Sequence, residues 1–311
     1  MKRLATAVLL TALAVAPAHA ADKLTVLLDW FANPDHAPLV VAKEKGFFAK
    51  HGLEVELVEP ADPNAPPKLV GAKQADIAVT YQPQLYTQIA EGLPLVRIGT
   101  LVDAPLNCLL VLQDGPIKSI KDLKGHKVGY SISGFEDALL GVMLEDVGLS
   151  EKDVEMVNVN FSLTPALMSK QVDAVIGAFR NFEQTQVKLA GGKPLAFYPE
   201  EHGLPLYDEL IYVANKDSVN DPRMKRFLDA VQEATVYLIN HPDEAWAAFI
   251  KAYPKLDDEL NKTAWTLTLP RFAKNPALLD RARYEKFAEF MKARGLIKTV
   301  PALDTYAVEI H

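Results

Sequence analysis

Short apolar runs alternate with helical stretches from residue 24 to residue 198, and this alternation constrains the fold more than any other feature of the chain. Leu24 to Leu28 reads as a buried strand. The loop Asp29-Trp-Phe-Ala-Asn-Pro-Asp-His36 leads into a helix expected from Pro38 to about Lys50, and Leu53, Val55 and Leu57 then alternate as a strand. Pro66 and Pro67 suit a first helical turn, and Asp76 to Thr80 reads as a strand. Pro83 opens a helix that Gly92 ends, and a strand follows near Leu95 to Val102. A second series has strands near 108–112, 127–130, 155–159, 173–178 and 195–198. Strands alternating with helices predict an α/β fold with a mostly parallel sheet. From Asp221 onward the pattern is helical, over 221–240, 242–252, 256–266 and 279–294, as expected of helices that cover an earlier domain.

One internal echo bears on domain organisation. Lys73-Gln-Ala-Asp-Ile-Ala-Val79 matches Lys170-Gln-Val-Asp-Ala-Val-Ile176 in register, and each runs into polar or aromatic residues: Thr80-Tyr-Gln82 and Phe179-Arg-Asn181. Two similar α/β lobes predict a cleft, because ligands of open α/β sheets bind beyond the carboxyl ends of the strands. An echo this short supports that architecture without establishing it.

The N-terminus reads as an export leader. Lys2 and Arg3 precede an apolar run of 12 residues, Leu4 to Val15, and Ala18-His-Ala20 has the small-x-small form of a cleavage site. The run is well short of the roughly 20 residues a membrane span needs, and no lipobox cysteine follows it. A periplasmic protein cleaved after Ala20 is expected. Loss of Lys2 and Arg3 leaves 31 basic against 40 acidic residues, a charge of −9, so nucleic acid and anionic membrane are unsuited partners. Cys108 is the single cysteine and excludes an internal disulfide. Within Asn107-Cys-Leu-Leu-Val-Leu112 it reads as a small buried hydrophobe.

Common catalytic signatures are missing. The chain has no H-E-x-x-H, no cysteine cluster for zinc, no phosphate loop ending in G-K-[ST] and no G-x-G-x-x-G. Gly129-Tyr-Ser-Ile-Ser133 departs from the nucleophile elbow because Ser133 replaces its second glycine. The chemistry that remains sits at strand ends. Trp30 and Tyr81 offer flat faces for a ring, Asp29 can accept from a ring amino group, and Asn33 can donate or accept. Trp30 filling the core, with Asp29 and Asp35 capping a helix, is the competing account. His36, just before a helix, reads more readily as structural. At Ser131-Ile-Ser133-Gly134-Phe135 a helix start would favour a polar ligand atom, against ordinary capping by Ser133. Glu183 either suits the dipole of a first helical turn or pairs with an aminopyrimidine edge through two hydrogen bonds. Aromatic faces with a few amide and acid groups fit recognition of a small polar ring.

The stretches Leu27-Leu-Asp-Trp-Phe-Ala-Asn-Pro-Asp-His36, Val41-Ala-Lys-Glu-Lys-Gly-Phe47, Asp103-Ala-Pro-Leu-Asn107, Gly177-Ala-Phe-Arg-Asn-Phe-Glu183 and Tyr207-Asp-Glu-Leu210 carry a resemblance. Through essentially the whole chain past the leader, the sequence resembles the ThiY-type binding proteins for thiamine-pyrimidine precursors. The resemblance implies a type II periplasmic-binding fold that delivers formylaminopyrimidine or hydroxymethylpyrimidine to an ABC permease in the inner membrane, as a monomer without cofactor. It strengthens Asp29, Trp30, Asn33, Tyr81, Asn181 and Glu183 as ligand-binding residues, and His36, Asn107 and Asp208 complete the ligand-binding set with them. Ser133 and Gly134 match the place where related fungal enzymes hold a phosphate. Those enzymes make the thiamine pyrimidine from pyridoxal phosphate and their own histidine, but their lysine aligns with Thr80 and their histidine near Gln84. A chain without that lysine cannot form the Schiff base.

The expected lobes are residues 22–104 with 212–311, and residues 105–211. Riboflavin or another heterocycle is the alternative ligand. A periplasmic enzyme using His36 or Asp208 as a base, and a ligand sensor for a membrane receptor, are the alternative roles.

Overall fold

The computed structural model describes residues 20–310. The leader read over residues 1–20 therefore lies, Ala20 apart, outside the described residues. The strands are β1 (Asp22–Leu27), β2 (Leu53–Val58), β3 (Ile77–Thr80), β4 (Leu95–Val102), β5 (Asn107–Leu112), β6 (Lys127–Tyr130), β7 (Glu155–Asn158), β8 (Ala174–Phe179), β9 (Pro194–Phe197) and β10 (Leu210–Asn215). They form two five-stranded sheets, ordered β2-β1-β3-β10-β4 and β7-β6-β8-β5-β9.

The sheets are mixed, which corrects the expectation of mostly parallel pairing. β1 pairs in parallel with β2 and β3, as β6 does with β7 and β8. β10 runs antiparallel to β3 and β4, and β5 antiparallel to β8 and β9. The reason is connectivity. β5 and β10 are entered by crossings between sheets without an intervening α-helix, so each starts at the carboxyl end of an antiparallel neighbour: Asn107 lies opposite Phe179, and Ile211 opposite Thr80. The sequence reading places no strand between 198 and 221; β10 lies there, and its run Leu-Ile-Tyr-Val-Ala-Asn is buried throughout.

The helices are α1 (Ala37–Glu44), α2 (Phe47–Lys50), α3 (Pro66–Gly71), α4 (Gln82–Ala90), α5 (Glu136–Asp146), α6 (Leu163–Met168), α7 (Glu183–Leu189), α8 (Pro222–Asn240), α9 (Pro242–Ala252), α10 (Glu259–Thr268) and α11 (Arg281–Ala293). The single helix expected over 38–50 is broken between α1 and α2, where Gly46 adopts φ 78°, a conformation that ends an α-helix. Three of the C-terminal helices start at an aspartate whose side chain accepts a backbone N–H of the first turn: Asp221 for α8, Asp258 for α10 and Asp280 for α11. α8 presents Phe227, Leu228, Val231 and Leu238 to the core of the first sheet. No helix among the described residues is long and apolar enough to cross a membrane.

The sequence echo is structural. Lys73 and Lys170 both take left-handed backbone, at φ 59° and 60°. Three residues on, Asp76 accepts the N–H of Thr25 at 2.8 Å and Asp173 that of Lys127 at 3.1 Å. Each aspartate thus ties its strand to the neighbouring parallel strand, β3 to β1 and β8 to β6.

Candidate functional site

The carboxyl ends of β1, β3, β6, β7 and β8 face one another across a partly enclosed cavity. From the first sheet it is lined by Asp29, Trp30, Asn33 and Asp35 of the loop after β1 and by Tyr81 after β3. The second sheet contributes Glu136, Leu163, Gly177, Phe179, Phe182 and Glu183.

The loop after β1 is ordered by its own polar groups. Asn33 accepts the N–H of Asp35 at 2.8 Å, and the backbone N–H of Asn33 is donated to His36 Nδ1 at 3.3 Å, a reciprocal cap of the turn at Pro34–His36. With Nδ1 accepting, Nε2 carries the proton and donates it to Asp29 Oδ1 at 2.9 Å. Asp29 Oδ2 accepts the Tyr81 hydroxyl at 2.7 Å. Burial, then the adjacent Asp29, holds the Tyr81 phenol well above its usual pKa, so it stays a donor. His36 is fully buried and does not line the cavity; it orients Asp29.

Aromatic rings close the two ends. Tyr81 stacks on Phe135 of the second sheet with centroids 4.9 Å apart and an interplanar angle of 20°. Trp30 is half-buried and meets Phe161, also of the second sheet, edge to face at 4.6 Å. These contacts, like the bond from Asn181 Nδ2 to Asp35 Oδ1 at 2.6 Å, join residues of the two sheets across the cavity.

Glu136, Glu183 and Asp35 of the lining are buried and reluctant to ionise. Burial raises Glu136 to about 8, against the opposing N–H groups of Ser131 and Ile132. Burial raises Glu183 to about 7, against the Phe179 N–H, which it accepts at 2.7 Å. Asp35 rises to about 6 by burial, opposed by Thr268, His36 and Asn181. No lysine, arginine or histidine lines the cavity.

Five of the residues singled out from sequence therefore line one cavity: Asp29, Trp30, Asn33, Tyr81 and Glu183. Asn181 and Asn107 stand behind it. Asn181 anchors Asp35, and Asn107 Oδ1 accepts the Gly177 N–H at 3.1 Å. Asp208 lies apart from it, in a buried network where its carboxylate accepts from Arg283, Thr100 and Tyr284. Ser133 and Gly134 are exposed outside the cavity. Ser133 also caps nothing: α5 begins at Glu136 after Phe135, with no side-chain cap. Cys108 is fully buried, which pushes its thiol to about 12.

Two lining acids, Glu136 and Asp35, escaped the sequence reading as ligand contacts. For Glu136 a signal existed: Phe-Glu opens a helix after a strand twice, at 135–136 and at 182–183.

Among known proteins, a Haemophilus influenzae protein named for thiamine biosynthesis is 57% identical over 95% of this chain and 94% of its own. The formylaminopyrimidine-binding protein of Halalkalibacterium halodurans is 32% identical over 73% of this chain and 69% of its own. A 4-amino-5-hydroxymethyl-2-methylpyrimidine phosphate synthase of Legionella pneumophila is 28% identical over 89% of this chain and 88% of its own. In three dimensions the chain superposes on the alkanesulfonate-binding protein SsuA of Xanthomonas axonopodis pv. citri with a TM-score of 0.73, covering 93% of this chain and 99% of that one at 15% identity. The fold is therefore that of the two-lobed periplasmic binding proteins. The family model described as NMT1/THI5 like matches residues 33–245, and with the cavity and its tryptophan loop inside or beside that span, the chain belongs to the NMT1/THI5-like family.

Proposed function

We propose that this chain is the exported substrate-binding component of an ABC importer and captures a thiamine pyrimidine precursor, formylaminopyrimidine or hydroxymethylpyrimidine. The observation that carries the reading is the cavity: flat aromatic faces, four buried acids and an amide, with no cationic side chain. Such a lining suits an uncharged or cationic ring rich in hydrogen-bond donors. The name of the Halalkalibacterium relative points to the same ligand class.

The protein acts as a binder and not as a catalyst. Thr80 donates to Gln84 at 2.6 Å in a buried pair, at the two positions that align with the lysine and histidine of the fungal enzymes. A buried threonine cannot form an imine with an aldehyde cofactor. Residues 22–104 with 212–311 move against residues 105–211 about the crossings near 104–108 and 210–214. Glu209 supports that hinge, its Oε2 accepting N–H groups of Leu106 at 2.6 Å and Asn107 at 2.9 Å.

Calorimetric titration with hydroxymethylpyrimidine and its formylamino relative, with riboflavin and thiamine as controls, tests the assignment. One-to-one binding of a pyrimidine, weakened at least about tenfold in Trp30→Ala, is expected. Heat from riboflavin alone would keep the transport role and replace the ligand; chemical alteration of the released compound would overturn the binding role.

A further inference from the structure

The two glutamates of the cavity occupy equivalent positions in the strand–helix units of β6 and β8, which are neighbours in the second sheet. Phe135 and Phe182 precede their helices with nearly the same backbone, φ −118° and ψ −61° against φ −120° and ψ −71°. In each case the first helical residue is a glutamate that reaches back to the preceding strand. Glu136 accepts the N–H of Ser131 at 2.6 Å, as Glu183 accepts that of Phe179 at 2.7 Å. This bond engages one oxygen and fixes the side chain, and both carboxyls line the cavity.

Gly177 supplies the room that Glu136 needs. A Cβ at that position would overlap the Glu136 carboxyl, and the φ of 93° already disfavours a side chain. Opposite lie Asp29 and Asp35 of the first sheet, so carboxyls face the ligand from both sides without a counter-charge. Closely spaced buried carboxyls repel one another and any added anion, and they are stabilised by hydrogen-bond donors.

We propose that Glu136 is a second ligand-reading carboxyl, the counterpart of Glu183, and that the pair selects a flat ring with donors on two edges while rejecting anionic substituents. The inference rests on the binding role proposed above. The test titrates the wild-type chain, Glu136→Gln and Glu136→Asp with hydroxymethylpyrimidine and, separately, with its monophosphate, and records the unliganded melting temperature of each.

Glutamine keeps a carbonyl acceptor for the Ser131 N–H, so E136Q should melt unliganded as the wild type does at pH 5.5, where the native glutamate is protonated. Aspartate keeps the carboxyl and withdraws it by one methylene. Roughly 10- to 100-fold weaker binding of the pyrimidine by both variants is expected, on the scale of a buried polar group left without its partner. A smaller gap between alcohol and phosphate in E136Q is also expected. Unchanged affinity in both variants, with the wild type binding, would overturn the inference and leave the transport reading standing. No pyrimidine binding by the wild type would overturn both.

Discussion

Asp29 illustrates how much of the site is arranged one shell away from the ligand. Its two oxygens are held by His36 and Tyr81, and His36 is held in turn by the Asn33 backbone. A histidine seven residues along the chain reads in sequence more readily as structural, and its burial and its bond to Asp29 agree. The raised acids give a test at this scale. Asp35, Glu136 and Glu183 have native pKa values of about 6, 8 and 7, all above their ordinary values of 3.8 and 4.5. Between the ordinary and the raised values the native state binds more protons than the unfolded chain, so stability falls as pH rises through that window. The unliganded melting temperature should therefore be higher near pH 5.5 than near pH 8, and E136Q should flatten the slope. Differential scanning fluorimetry across that range checks both; a melting temperature that climbs with pH would contradict the native pKa shifts.

The recurring element is a helix, a left-handed lysine, an aspartate and a strand. Asp76 and Asp173 hook their strands to the parallel neighbour through a backbone N–H, and Asp76 also accepts from Arg223 at 3.1 Å. Asp76→Ala leaves the Thr25 N–H without its partner and should cost about 1–2 kcal/mol, read from the midpoint of urea unfolding. A midpoint equal to that of the wild type would make the echo decorative. This element was legible because both copies keep lysine, glutamine and aspartate at one spacing. The left-handed lysine was not, since lysine has no special preference for that conformation and the tight helix exit alone imposes it. β10 was missed for a related reason. Its apolar run follows a loop and a crossing without a helix, and the alternation that exposes the other strands is absent there.

At the scale of the molecule, polar bonds between the sheets lie on both sides of the cavity. Asn64 donates to the Ser131 carbonyl at 3.1 Å and accepts the Ser133 N–H at 3.0 Å, while Asn181 bonds Asp35. Asn64 does not line the cavity. On the closing motion proposed above, Asn64→Ala should weaken ligand binding roughly 5- to 10-fold, mainly through faster release, by removing a tie that forms only when the lobes meet. Stopped-flow displacement would measure the release rate, and small-angle scattering should show ligand-induced compaction in the wild type. Unchanged release from the variant would show that this tie does not hold the closed state.

Sequence by itself determined the α/β class, the strand ends that carry chemistry and the family. These depend on local periodicity and on residue types that appear in order along the chain. It also marked the tryptophan loop and Glu183, because aromatic and acidic groups at strand ends stand out against apolar runs. The tertiary structure alone decided which of those ends meet. Asp208 and Ser133 sit at comparable positions in sequence yet lie outside the cavity, whereas Glu136 lies within it. The direction of β5 and β10 was likewise settled by the crossings between the sheets. The physical reason is that a cleft is made from segments far apart in the chain, and their approach depends on sheet order and helix packing, which local spacing does not encode.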